Sequence, residues 1–324
     1  MRGDCLEPLE KEGLLSDLDR HFAGFMVRLG GEPAPELKLA AALASRDRRM
    51  GHVCLDLARI SGKPPAEAPG APPLPHLTQW RQALKASRVV GAPGDFAPLI
   101  LDNGDRLHLY RYWAYQEGLA NGLLERAQAA PTQIPDLSAL LDRYFPPTGA
   151  AGGPDRQRQA AETALARRLC VISGGPGTGK TTTVARILAL VAETADGHPP
   201  DIALAAPTGK AAARMQEAIR REKARPLFDE VRAALPDAAG TIHRLLGALP
   251  DSPYFRRNRD HPLPADVVVI DEASMVDLAL MAKLVDALKP GARLILLGDR
   301  DQLASVEAGA VPGDICNTGG APAD

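Results

Sequence analysis

The sequence predicts an α/β fold built on a parallel sheet in the second half of the chain, preceded by a smaller mixed α+β domain. Three observations predict it. The apolar runs at 169–173, 266–270 and 292–297 read as strands covered on both faces. Helix-like stretches at 181–191 and 278–288 follow the first two, and strands that alternate with helices build a parallel sheet. Upstream lies 146–154, rich in Pro and Gly, which sets a border near residue 150 and gives domains 1–150 and 151–324.

The first strand runs into Gly174-Gly-Pro-Gly-Thr-Gly-Lys180-Thr181, which fits G-x-x-x-x-G-K-[ST]. Glycines are needed because the backbone wraps closely round phosphate oxygens and presents its N–H groups to them. The helix that follows adds the partial positive charge of its N-terminus. Gly174, Gly175, Pro176, Gly177, Thr178 and Gly179 form the cradle, Lys180 reaches the β- and γ-phosphates, and Thr181 offers its hydroxyl to Mg²⁺. A dinucleotide fingerprint opening at Gly175 fails, because Thr178-Gly179-Lys180 breaks G-x-G-x-x-G and leaves the Lys-Thr pair without a role.

The second strand ends in Asp271 and Glu272, at the carboxyl edge where open α/β sheets bind ligands. Asp271 is expected to hold Mg²⁺, directly or through water, and Glu272 to orient and deprotonate the water that attacks the γ-phosphorus. Capping alone does not require this pair, since Ser274 or Asp277 can cap the next helix. The third strand delivers Gly298-Asp-Arg-Asp-Gln302, and the Gln302 amide can both donate and accept hydrogen bonds at a γ-phosphate. Lys180, Asp271, Glu272 and Gln302 are thus the candidate catalytic set. No N-K-x-D guanine motif follows, LSGGQ is absent, and a small-molecule kinase leaves Thr208, Lys210 and Gln302 unexplained.

Four stretches with close wording occur in order: Val171-Ile-Ser-Gly-Gly-Pro-Gly-Thr-Gly-Lys180, Pro207-Thr-Gly-Lys-Ala-Ala-Ala-Arg214, Thr241-Ile-His-Arg-Leu-Leu-Gly247 and Leu297-Gly-Asp-Arg-Asp-Gln-Leu-Ala-Ser-Val-Glu-Ala-Gly309. Together they resemble the RecD family, superfamily 1 DNA helicases that form the alpha subunit of exodeoxyribonuclease V, the RecBCD complex. The resemblance implies a RecA-like P-loop NTPase domain over 151–324. It implies an ATP-dependent 5′-to-3′ DNA helicase subunit acting with RecB-like and RecC-like subunits in double-strand break repair and recombination. By the same resemblance Gln157 recognises adenine, which makes ATP the nucleotide. Pro207, Thr208 and Lys210 then contact single-stranded DNA, and Thr241 with His243 makes a second contact. Motors of this kind hold the backbone and stack bases without reading sequence.

In the first half, 37–46 and 80–90 read as helices separated by the Pro-rich 63–73, and 98–101 and 106–109 flank the hairpin signal Asp102-Asn-Gly-Asp105. No catalytic constellation or nuclease site is found there. Its pattern, with Gly51-His-Val-Cys-Leu55 and 107–113, is similar to the RecD N-terminal domain, which implies an interface with partner subunits.

With 38 Lys and Arg against 40 Asp and Glu, the net charge of −2 creates no global positive field, so nucleic acid must be gripped locally. The clusters at 220–225 and 256–259 read as solvated helix ends or loops. Cys5, Cys54, Cys170 and Cys316 form no C-x-x-C pair and have no His at metal spacing, so they read as reduced cytoplasmic thiols. The N-terminus carries no export signal, and no stretch approaches the ~18 apolar residues of a membrane span. A helicase of this type uses a second RecA-like domain. Only 15 residues follow Gly309, against roughly 100 to 200 for a domain. The chain is therefore expected to be the N-terminal part of such a helicase, active when full-length. The alternative is a non-catalytic ATP-binding assembly subunit of the same complex.

Overall fold

The computed structural model describes residues 5–31, 34–146, 155–175, 177–195 and 197–299. They form two compact units that part between Glu117 and Gly118. Most of the stretch read as a border, 147–154, lies outside the described residues.

The first unit contains α1 (Glu7–Lys11), α2 (Asp17–Gly30), α3 (Pro35–Arg49), β1 (Leu55–Asp56), α4 (Leu57–Ile60), α5 (Leu77–Lys85), β2 (Val90–Gly91), β3 (Leu99–Leu101), β4 (Arg106–Leu109) and the start of α6 (Tyr110–Gln128). Pro35 opens α3, where a missing N–H breaks no helical hydrogen bond, and the helix buries Leu37, Ala40, Ala41, Leu43 and Ala44. The strands order as β1-β4-β3-β2. The expected hairpin is present: β3 and β4 pair antiparallel, with Leu101 opposite Leu107. Asp102 Oδ1 closes the turn by accepting from the Gly104 and Arg106 amides, each at 2.9 Å. The helix expected over 80–90 instead runs from Leu77 and stops at Lys85, and Val90 enters β2 opposite Leu99. Val89 and Val90 are β-branched, and Leu99 N donates to Val89 O at 3.0 Å, so a partner strand captures the end of the apolar period.

The second unit continues along α6 into α7 (Leu137–Tyr144), α8 (Arg156–Ala166), β5 (Leu169–Ser173), α9 (Lys180–Glu193), β6 (Ile202–Ala206), α10 (Gly209–Lys223), β7 (Ala239–Thr241), α11 (Ile242–Leu246), β8 (Val267–Ile270), α12 (Leu278–Asp286) and β9 (Arg293–Gly298). The sheet has five strands, all parallel, in the order β5-β9-β8-β6-β7. All four residues of β8 and the run from Leu294 to Leu297 in β9 are buried, as the uninterrupted apolar runs demand. Ile187, Leu188 and Leu190 of α9 share one core with Val269, Ile295 and Leu297. Because every strand points the same way, the loops leaving their C-terminal ends all open on one sheet edge. Among the described residues no helix is long and apolar enough to cross a membrane.

α6 approaches α12 closely at Gly122. A Cβ there would lie 2.5 Å from Cγ1 of Val285, which is 3% exposed. Alanine gains about 0.5–1 kcal/mol over glycine inside a helix. Against that, it must displace a β-branched side chain held in one rotamer. Gly122→Ala is expected to lose about 1–3 kcal/mol net, read as a lower thermal midpoint. An unchanged or higher midpoint would mean that the two helices separate freely.

Candidate functional site

The loop after β5 turns immediately. Gly174 N donates to Gly298 O at 3.2 Å, which ties the loop to the end of β9. Thr178 Oγ1 closes it by donating to Gly175 O at 2.9 Å, and a Cβ on Gly174 would lie 2.9 Å from that same hydroxyl. Gly179 stands at φ 80 just before α9, a conformation that strains any side chain. α9 begins at Lys180, so the N–H groups of its first turn lack helical partners and are available to an anion. Lys180 Nζ donates to the carbonyls of Gly174 and Gly175, the latter at 2.9 Å, which folds the cation over the loop. Thr181 is half-buried in the same first turn.

Gln157 meets this loop from α8. Its Nε2 donates to Thr178 O at 3.3 Å. Asp155 fixes that end of α8 by accepting from Gln157 N at 3.0 Å and Arg158 N at 3.2 Å. Pro176 lies outside the described residues.

β8 stands beyond β9 from β5 and ends in the acid pair. Asp271 N donates to Ala205 O at 2.9 Å, so the ladder to β6 persists up to the carboxylate. Burial pushes the Asp271 carboxyl above the usual range, opposed by the Glu272 N–H at 2.9 Å and by the Lys180 charge. Thr181 and Asp271 are hard oxygen donors, and Mg²⁺ typically takes one or two protein oxygens and fills its other positions with phosphate and water. The pair suits that ion, and no cluster of three or more His, Cys, Asp or Glu able to hold a metal occurs among the described residues.

Glu272 sits at φ 49 and ψ 39, a left-handed conformation that costs a non-glycine residue about 1–3 kcal/mol. It opens the tight turn at Ala273–Met275, with Met275 N donating to Glu272 O at 3.0 Å. Arg214 Nη1 of α10 lies 4.0 Å from Glu272 Oε1. Asp277 caps α12 by accepting from Leu280 N at 2.9 Å, so neither member of the acid pair is used as its cap. Gln302 lies outside the described residues.

β6 leads through half-buried Pro207 into α10. Thr208 caps the helix by accepting from Ala211 N at 3.2 Å, while Thr208 and Lys210 are exposed. Ala211 and Ala212 are buried with Ala206, which seats the helix start on the sheet. β7 pairs with β6, Thr241 opposite Ala206, and Thr241 caps α11 by accepting from Arg244 N at 3.3 Å. His243 is exposed, its ring centre 5.7 Å from that of Phe255. The edge therefore gathers Lys180, Thr181, Asp271 and Glu272 beyond the ends of β5 and β8, and Pro207, Thr208, Lys210 and His243 beyond the ends of β6 and β7. Arg214 was not among the sequence candidates. Its spacing from Lys210 was legible in the sequence, whereas its approach to Glu272 was not.

Residues 157–308 match the AAA domain family, and residues 11–108 match the family described as RecBCD enzyme subunit RecD, N-terminal domain. The RecBCD enzyme subunit RecD of Mycobacterium tuberculosis (strain ATCC 25618 / H37Rv) is 49% identical over 312 residues, covering 94% of this chain and 51% of that protein. The chain belongs to the RecD family. The RecD of Mycolicibacterium smegmatis is 46% identical over 307 residues, covering 93% of this chain and 52% of its own. The ATP-dependent RecD2 DNA helicase of Deinococcus radiodurans is 40% identical over 168 residues, covering 52% of this chain and 20% of that helicase. The chain thus spans about half the length of these two curated RecD relatives.

Proposed function

We propose that the chain is the ATP-binding and DNA-gripping part of a cytoplasmic 5′-to-3′ DNA helicase subunit, working with RecB-like and RecC-like partners in a RecBCD-type exodeoxyribonuclease V. Its setting is double-strand break repair and recombination. The observation that carries the reading is the shared edge: phosphate loop and acid pair at the ends of β5 and β8, capped helix starts at the ends of β6 and β7. One sheet edge can then sense both nucleotide and nucleic acid.

In this reading Gln157 recognises adenine, the Gly174 to Gly179 loop cradles the phosphates, and Lys180 neutralises the β- and γ-phosphate oxygens. Thr181 and Asp271 would hold Mg²⁺, whose positive charge would offset the charge that develops on the phosphate oxygens. Glu272 accepts the proton of the attacking water, and Gln302 hydrogen-bonds the γ-phosphate. Pro207, Thr208, Lys210 and His243 hold the DNA backbone. An arginine from a second RecA-like domain would complete the site, and such a residue is worth about 10³ to 10⁵ in rate. The first unit, the larger part of the domain expected over 1–150, serves as the partner interface.

The test is strand displacement by the full-length protein on duplexes with a single 5′ or 3′ tail, beside its ATPase with and without single-stranded DNA. DNA-stimulated turnover and unwinding from the 5′ tail are expected. Unwinding from the 3′ tail alone would reverse the assigned direction. Association with both partners without any turnover would make the chain an assembly subunit instead.

A further inference from the structure

We propose that Arg214 is a positioning residue that restrains Glu272 until DNA occupies the start of α10. This rests on the function proposed above and names the side chain through which DNA would govern ATP cleavage.

Arg214 lies four residues beyond Lys210, so the two side chains share one face of α10. One end of that face is where a DNA phosphate would be held, by Thr208 and Lys210. At the other, Arg214 Nη1 stands 4.0 Å from Glu272 Oε1. Both backbones are fixed. α10 is capped at Thr208 and seated by Ala211 and Ala212, and β6 and β8 are adjacent in register, Ala205 opposite Ile270. Glu272 is pinned by its amide on Asp271 and by the turn to Met275. The movable parts are the two side chains, whose exposures are 65% for Arg214 and 26% for Glu272.

A general base must lie within hydrogen-bond reach of the proton it takes. β6, which leads into α10, and β5, which leads into the phosphate loop, lie on opposite sides of β8, so a carboxylate drawn toward α10 is drawn away from that loop. A guanidinium prefers a phosphate, which it can grip with two parallel N–H donors. A DNA phosphate one helical turn away therefore competes for Arg214, and its capture frees Glu272 to face the water. The contact has the right strength for such a device. An exposed pair of this kind is worth about twofold to fivefold in an equilibrium, enough to restrain and weak enough for a phosphate to break.

The test uses Arg214→Ala and Arg214→Lys in the full-length protein, with ATPase measured without DNA and with saturating oligothymidylate. Arg214→Ala is expected to raise the DNA-free rate by about two- to fivefold and to lower the ratio of stimulated to basal turnover by the same factor. Arg214→Lys, which keeps a charge without the fork, falls between. The thermal midpoint stays put, because the side chain is exposed. A lower DNA-free rate in Arg214→Ala, or an unchanged ratio, overturns the proposal. So does a higher half-stimulating DNA concentration with unaltered basal rate, which would make Arg214 a plain DNA contact. Wild-type protein without any DNA stimulation would instead fail the helicase reading itself.

Discussion

Lys180→Gln is expected to lower the DNA-stimulated ATPase of the full-length protein by about a hundredfold or more, the scale on which loss of one preorganised donor to a developing charge acts. Gln is a conservative probe. Its amide can still donate to the Gly174 or Gly175 carbonyl, so the loop keeps an internal contact that Lys180 now supplies. What disappears is the positive charge that would meet the β- and γ-phosphates, and with it the charge that offsets the burial of Asp271. The damage should be confined to the β5 and β8 side. Thr208 and Lys210 stand at the end of β6 and do not depend on Lys180, so affinity for single-stranded DNA should survive. Steady-state ATPase at saturating DNA, beside a DNA-binding titration, separates these effects. Wild-type turnover in the variant would remove Lys180 from the catalytic set.

The phosphate loop was legible in the sequence because its chemistry is local: consecutive residues dictate a turn, a cradle and a helix start. β8 and β9 were legible for a similar reason, since a strand buried on both faces must be apolar throughout. The order of the sheet was not. That β9 inserts between β5 and β8 depends on crossovers between distant segments, which no local period encodes. The same limit explains α5. Val89 and Val90 continue an apolar helical pattern, and only the presence of β3 turns them into a strand edge.

The left-handed Glu272 and its Arg214 neighbour were hidden for a further reason. A motif names which residue types meet a ligand, whereas backbone strain and a contact between α10 and the turn after β8 appear only once the helix is seated. Gln157 lies between these cases. The role proposed for it came from family resemblance, and its approach to Thr178 O is a geometric fact that the spacing alone did not contain.

The largest stability effect is expected at Trp80 of α5, the bulkiest fully buried side chain in the first unit. It shares a core with Leu37, Leu84, Leu99 and Leu107, and no member of that cluster belongs to the core that holds Ile187 and Ile295. Trp80→Ala should cost about 3–5 kcal/mol through lost burial and the cavity left behind. Trp80→Phe tests the cause. Among the described residues the indole Nε1 is buried without a hydrogen-bond partner, so removing it breaks no bond and relieves an unmet donor. Phe, although smaller, should therefore stay within about 1.5 kcal/mol of wild type. A Phe variant as unstable as the Ala variant would show that the N–H is engaged after all. Because the cores are distinct, the Ala variant should melt early in the first unit while ATP binding at residues 155–299 persists. If the first unit carries the partner interface, that variant should also lose co-purification with RecB-like and RecC-like subunits. Retained association after the first unit has melted would place the interface elsewhere.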